Sequence, residues 1–159
     1  MDTEEKALFA YRALAPYGAR KTRYGNVPLV GVQGAAPDRL AVLSFYETEI
    51  VFEFSFHTAH FAADDLSLAV AVAEDFLTGK LCAVEFFLAG KSLFGGARNS
   101  SISRLNGTTE FCEAYAGGKG DVAEKIAKLL CRGDVSVKIR SFDGSADRDL
   151  DPPFEGLGG

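Results

Sequence analysis

In the stretch "EIVFEFSFH" the apolar residues Ile50, Phe52, Phe54 and Phe56 alternate with Val51, Glu53, Ser55 and His57. A period of two is the signature of a strand with one side in a core and the other in water. The run from Leu40 to about Ala59 is rich in Phe, Val, Ile and Tyr, and its length predicts two strands joined by a turn near Glu47-Thr48-Glu49. "LCAVEFFL" places Cys82, Val84, Phe86 and Leu88 on one side and Ala83, Glu85 and Phe87 on the other. "VSVKIR" sets Val135, Val137 and Ile139 against Ser136, Lys138 and Arg140. A shorter strand, "VPLVGVQ", contains Pro28, whose missing N–H suits a sheet edge.

Helical periodicity takes over elsewhere. "MDTEEKALFAYRALAP" predicts a helix over residues 3–15, capped by Asp2 or Thr3, with Leu8, Tyr11 and Leu14 on its apolar stripe and Pro16 ending it. "DDLSLAVAVAEDFLTG" predicts a second, with Leu66, Ala69, Val70, Ala73, Phe76 and Leu77 on its stripe and Gly79 as its stop. "DVAEKIAKLLCRG" predicts a third, with Asp121 and Glu124 as a capping box and Val122, Ile126, Leu129 and Leu130 on the stripe. Residues 97–119 are polar, and the pattern allows either a short helix from Thr108 or Thr109 to Tyr115 or a hairpin at Asn106-Gly107.

Strands that are apolar on one side only, combined with helices of a single stripe, predict an α+β two-layer sandwich. Its mostly antiparallel sheet would have about five strands, with two main helices on one face plus the N-terminal helix. The expected organisation is one domain over residues 1–142 and an acidic, flexible C-terminal tail over 143–159, rich in Asp, Pro and Gly.

Composition narrows the class. With 47% hydrophobic and 25% charged residues, the 159-residue chain has the make-up of a globular protein. No apolar run reaches the roughly 20 residues of a membrane span, and the N-terminus carries acids where a secretory signal carries cations, so a cytoplasmic protein without membrane partners is expected. Cys82, Cys112 and Cys131 are odd in number and lack a C-x-x-C pair, which fits free thiols in a reducing compartment. The net charge of −5 is concentrated in the tail, where five acids face Arg148 alone and leave −4, against −1 for the rest. That near-neutral body provides no field to attract nucleic acid.

One tempting motif fails on its spacing. "FFLAGKS" leads a strand into Gly90-Lys91-Ser92, as a phosphate loop does, but such a loop needs a glycine where Glu85 stands. A hairpin turn at Ala89-Gly90 explains the residues better. No G-x-S-x-G elbow is present, and no catalytic set or cofactor motif assembles.

The expected working surface is the open face of the sheet, collecting Glu53, Ser55 and His57 from one strand, Glu85 and Phe87 from another, and Lys138 and Arg140 from the last. Charged groups interspersed with an aromatic ring make a protein-contact surface, which points to a small non-enzymatic binding or regulatory protein with an accessory, inhibitor or immunity-type role. The edge strand Val27 to Val32 would allow a homodimer. Two alternatives have a foothold in the residues. His57, His60 and Asp64 in "HTAHFAADD" would serve a metal-dependent hydrolase, provided that the chain turns at Thr58-Ala59 to bring both imidazoles to one side. Arg20, Lys21 and Arg23, between Tyr17 and Tyr24, would form a basic loop able to contact phosphate or RNA.

Overall fold

Two helices against a five-stranded meander build the first half of the chain. A computed structural model describes residues 1–152, over which the chain forms two compact units, Met1–Lys80 and the part beginning at Leu81. Their boundary falls inside the span that the sequence pattern assigns to one domain. The fold class is α+β with antiparallel sheets and an N-terminal helix, as the alternation predicts. Among the described residues there are two sheets, however, of five and four strands, in place of one of about five.

In the first unit, helix α1 (Thr3–Leu14) starts at Asp2, whose carboxylate accepts from the Glu5 N–H at 2.8 Å while Glu5 reaches back to the Asp2 N–H. This reciprocal cap satisfies two of the donors a helix start leaves open. Strands β1 (Arg20–Tyr24), β2 (Val27–Gln33), β3 (Leu40–Phe45), β4 (Glu49–Phe54) and β5 (His57–Ala62) then run antiparallel in sequence order, and helix α2 (Leu66–Leu77) follows.

Register fixes which residues share a side. Val30, Leu43, Phe52 and Ala59 lie in one lateral row and Val32, Ala41, Phe54 and His57 in the next. Both helices pack on this side, α1 against β2 and β3 and α2 against β3, β4 and β5. The buried stripe of α2 is Leu66, Ala69, Val70, Ala73 and Phe76, as its periodicity predicts. That of α1 is Ala7, Ala10 and Leu14 rather than the Leu8–Tyr11–Leu14 line, because small side chains let the helix lie close to β2. Leu8 and Phe9 are left on its outer side, 37% and 42% exposed.

Three further expectations differ from the structure. "RKTRY" is not a linker loop but β1, the free edge of the sheet, exposed at all five positions. The stretch Val27 to Val32 therefore has a neighbour on each side, β1 and β3, and its edge is not available for a dimer. Ser55 lies outside the strand, at φ +54° in the β4–β5 turn.

In the second unit, β6 (Leu81–Leu88) and β7 (Lys91–Asn99) form the hairpin predicted at Ala89-Gly90, with φ +51° and +80° at the two turn residues. Positive φ at both central positions matches the twist of the flanking strands. A strand follows Lys91-Ser92 where a phosphate loop would continue into a helix. Helices α3 (Thr108–Ala116) and α4 (Gly120–Leu130) come next, then β8 (Val135–Arg140) and β9 (Arg148–Leu150), in the sheet order β7-β6-β8-β9. The polar stretch 97–119 thus resolves in favour of the helix. The core joins Cys82, Val84 and Phe86 of β6 and Val135, Val137 and Ile139 of β8 to Phe111, Tyr115, Ile126 and Leu130 of the helices.

The start of the acidic stretch is folded, contrary to its expected flexibility. Asp143 accepts from the Ser145 N–H at 2.9 Å, Ala146 is buried, and Leu150 on β9 joins the core opposite Val137. Glu155 and the remainder of the expected tail from residue 153 on lie outside the described residues.

Phe52 is fully buried beside Phe76, with ring centroids 5.0 Å apart, whereas Leu68 on the same helix as Phe76 is 54% exposed. Phe52→Ala is expected to cost about 3–5 kcal/mol, and Leu68→Ala to stay within about 0.5 kcal/mol. Urea denaturation of the two variants checks the contrast.

Candidate functional site

The seven residues expected on one open sheet face divide between the two sheets. Glu53 and His57 belong to β4 and β5 of the first, and Ser55 to the turn between them. Glu85 and Phe87 of β6 and Lys138 and Arg140 of β8 belong to the second. The reason is topological: the meander closes its own sheet at β5, and the chain passes through α2 before β6 starts a new one. No single sheet face carries the set.

His57 turns inward. Its ring stacks on Phe76 at 5.5 Å and 21°, on the helix-covered side in the row of Phe54. His60, three residues on, projects to the other side, where its Nδ1 lies 3.0 Å from Glu49 Oε2. Because β5 runs unbroken from His57 to Ala62, the turn that would bring the two imidazoles together is absent from this strand. Asp64 is exposed beyond the strand end. Among the described residues no group of three His, Cys, Asp or Glu is placed to hold a metal. The geometry required by the His57/His60/Asp64 reading is therefore not met.

The basic segment is also split by strand alternation. Lys21 and Arg23 point to the helix side, where both pair with Glu4 of α1, Lys21 Nζ at 3.3 Å from Glu4 Oε2. A carboxylate held against two of the three cations diminishes any field they would offer to phosphate. Arg20 faces the other way, in the row Arg20, Gly31, Val42 and Glu53.

In the second unit the four expected residues do share a side, but the face is not simply open. Glu85 is only 6% exposed. Its carboxylate accepts from Ser92 Oγ and lies over Gly95, its cross-strand partner, where any Cβ would collide with Glu85 Oε2 and stand 2.5 Å from the Val84 carbonyl. Lys138 sits opposite Glu85, with its Nζ 5.4 Å from the centre of the Phe87 ring. Arg140 donates to Asp149 at 2.6 Å, and this bond holds the Asp149 carboxyl below its ordinary range. The cluster is tied together internally, as cross-strand pairs on a sheet are.

The two buried thiols show no activation. Burial pushes Cys82 and Cys112 up to about 11, so both are protonated at neutral pH, and Cys131 is exposed. A raised pKa removes the thiolate on which nucleophilic chemistry depends.

A different place in the first unit has the shape of a site. On the side of the sheet facing away from α1 and α2, the outward residues of β1, β2 and β3 surround an open depression of about 570 Å³. Leu29, Leu40 and Val42 supply its apolar surface, and Arg20, Thr22 and Gln33 its polar groups. Gly31 lies in the row between Arg20 and Val42, and its lack of a side chain deepens the dip; a methyl there would meet Leu40 Cδ1 at 3.6 Å, an ordinary contact. Leu40 is 44% exposed. Glu53 and His60 occupy the same side farther along, while Ser44 and Val51 between them are buried. The sequence does contain a signal for this place: Leu29, Leu40 and Val42 are apolar at the outward positions of β2 and β3, where a half-wet strand carries polar residues.

No protein-family model matches the chain, and no curated protein or solved structure matches it. No helix among the described residues is long and apolar enough to cross a membrane.

Reaction of the folded protein with a bulky thiol reagent at neutral pH is expected to modify Cys131 alone, with Cys82 and Cys112 reacting only after denaturation. Mass mapping of the labelled peptides reads the result, and fast labelling of Cys82 in the folded state would contradict this burial.

Proposed function

We propose that this chain is a non-enzymatic binding protein that engages another protein through the depression on the outward face of β1, β2 and β3. The carrying observation is the depression itself, where exposed Leu40 with Leu29 and Val42 meets Arg20, Thr22 and Gln33 on a rigid sheet. An apolar floor bordered by polar groups is what a recognition site needs, the first for affinity and the second for orientation. Arg20 at one side selects for a carboxylate or another anionic group, so the fitting partner presents an apolar side chain beside an acidic one. A reducing, cytoplasmic setting is consistent with the three free thiols.

The non-enzymatic reading is supported by the thiols of the core and by the division of the two imidazoles between opposite sides of the sheet. His57 is stacked on Phe76, His60 lies against Glu49, and Cys82 and Cys112 are protonated in the core.

Affinity capture from the native cell, with partners identified by mass spectrometry, tests the proposal when wild type is compared with Arg20→Glu and Gly31→Leu. Charge reversal at Arg20 and filling of the depression at Gly31 are each expected to reduce the captured partner by about ten-fold or more, the effect of losing about 1.4 kcal/mol. The melting temperature should stay within a few degrees of wild type, since both positions lie outside the helix-covered core. Undiminished capture by both variants would overturn the assignment of this face.

A further inference from the structure

Helix α1 has two faces of opposite character. Ala7, Ala10 and Leu14 are buried against the sheet, and on the other side of the helix Glu5, Leu8, Phe9 and Arg12 are exposed. Spacings of three and four residues place these four in one continuous stripe. The stripe lines an open surface groove of about 630 Å³. Two adjacent apolar side chains in the centre with a carboxylate at one end and a guanidinium at the other is a pattern with a symmetry of its own.

From this arrangement we infer that α1 pairs with α1 of a second copy of the chain, antiparallel and around a two-fold axis passing between Leu8 and Phe9. An isologous contact requires that when one residue meets another, the second meets the first in return. Glu5 and Arg12 lie equally far in sequence from that midpoint. Antiparallel pairing sets Glu5 of each copy against Arg12 of the other, and packs Leu8 on Phe9 of the opposite helix in both directions. The charges at the two ends are therefore self-complementary, and a parallel arrangement would set like against like. Among the described residues this groove lies on the opposite side of α1 from the sheet, so the pairing leaves the first unit's core undisturbed.

A single helix pair buries less than the roughly 1,200 Å² of a standard interface, which places the dimer in the weak class, with dissociation in the micromolar range or above. The inference stands apart from the proposed partner site, which lies on the far side of the sheet from α1.

Sedimentation equilibrium on the full chain up to about 1 mM, a range that covers weak dimers, tests it with charge-reversed variants. Wild type is expected to dimerise, and Glu5→Arg and Arg12→Glu are each expected to weaken self-association by about ten-fold or more, because each sets two like charges face to face at both ends of the pair; Glu5→Arg also removes half of the Asp2 cap, so circular dichroism of this variant must match wild type for the loss to count. An equimolar mixture of the two variants is expected to form a heterodimer, since every end contact then joins an arginine to a glutamate. Phe9→Asp should abolish association in any mixture while circular dichroism and melting remain those of wild type. A wild type that is monomeric throughout the range, or a mixture of the two reversed variants that does not associate, would overturn the proposal.

Discussion

The packing of Phe76 against the sheet decides which way the first unit faces. Its ring lies 5.0 Å from Phe52, 5.5 Å from Phe54 and 5.5 Å from the imidazole of His57, so one helical side chain gathers two strands. Side chains alternate strictly along a strand, and a slip of one residue would send Phe52 and Phe54 to the solvent side and bring Glu53 inward. Burying an aromatic ring contributes about 2–3 kcal/mol, whereas burying an unpaired carboxylate costs several. Everything outward on the sheet, including Arg20, Gly31 and Val42, is outward because these aromatic residues are inward.

The same rule explains why two attractive groupings in the sequence come apart. Proximity along the chain brought His57 and His60 together, and Arg20, Lys21 and Arg23, but a strand separates neighbours by parity. His57 goes to the aromatic core and His60 to Glu49; Lys21 and Arg23 go to Glu4, and Arg20 to the opposite face. Their chemistry is divided between structural support on one side and an exposed cation on the other.

Much of the fold follows from local pattern. The alternation in "EIVFEF", the stripe of α2 and the Ala89-Gly90 turn each correspond to an element in the place expected, because each is governed by short-range sterics and burial. Partitioning of strands between sheets is a long-range choice, and no period in "LCAVEFFL" or "VSVKIR" says that they pair with each other and not with β4. β1 was hidden by its charge: "RKTRY" has no apolar alternation, and it is a strand because β2 offers it a hydrogen-bonding edge. β9 was hidden by its length, three residues whose single apolar contact is Leu150 in the core of the second unit. Glu85 lies on the side of β6 away from the core residues of its strand and is nonetheless buried, because the space it fills is made by Gly95 on a partner whose register the sequence does not announce.

The central claim is that the first sheet has one side covered by its helices, with Val30 and Leu43, and another that is accessible at Leu40 and Val42 though buried at Ser44 and Val51. Methyl relaxation measured by NMR with a soluble paramagnetic agent addresses it directly, because the effect falls steeply with distance from solvent. Strong broadening of Leu40 and measurable broadening of Val42, with Val30 and Leu43 unaffected, is the expected outcome. Equal protection of all four residues would mean that both sides of the sheet are covered, and the proposed binding face would not exist.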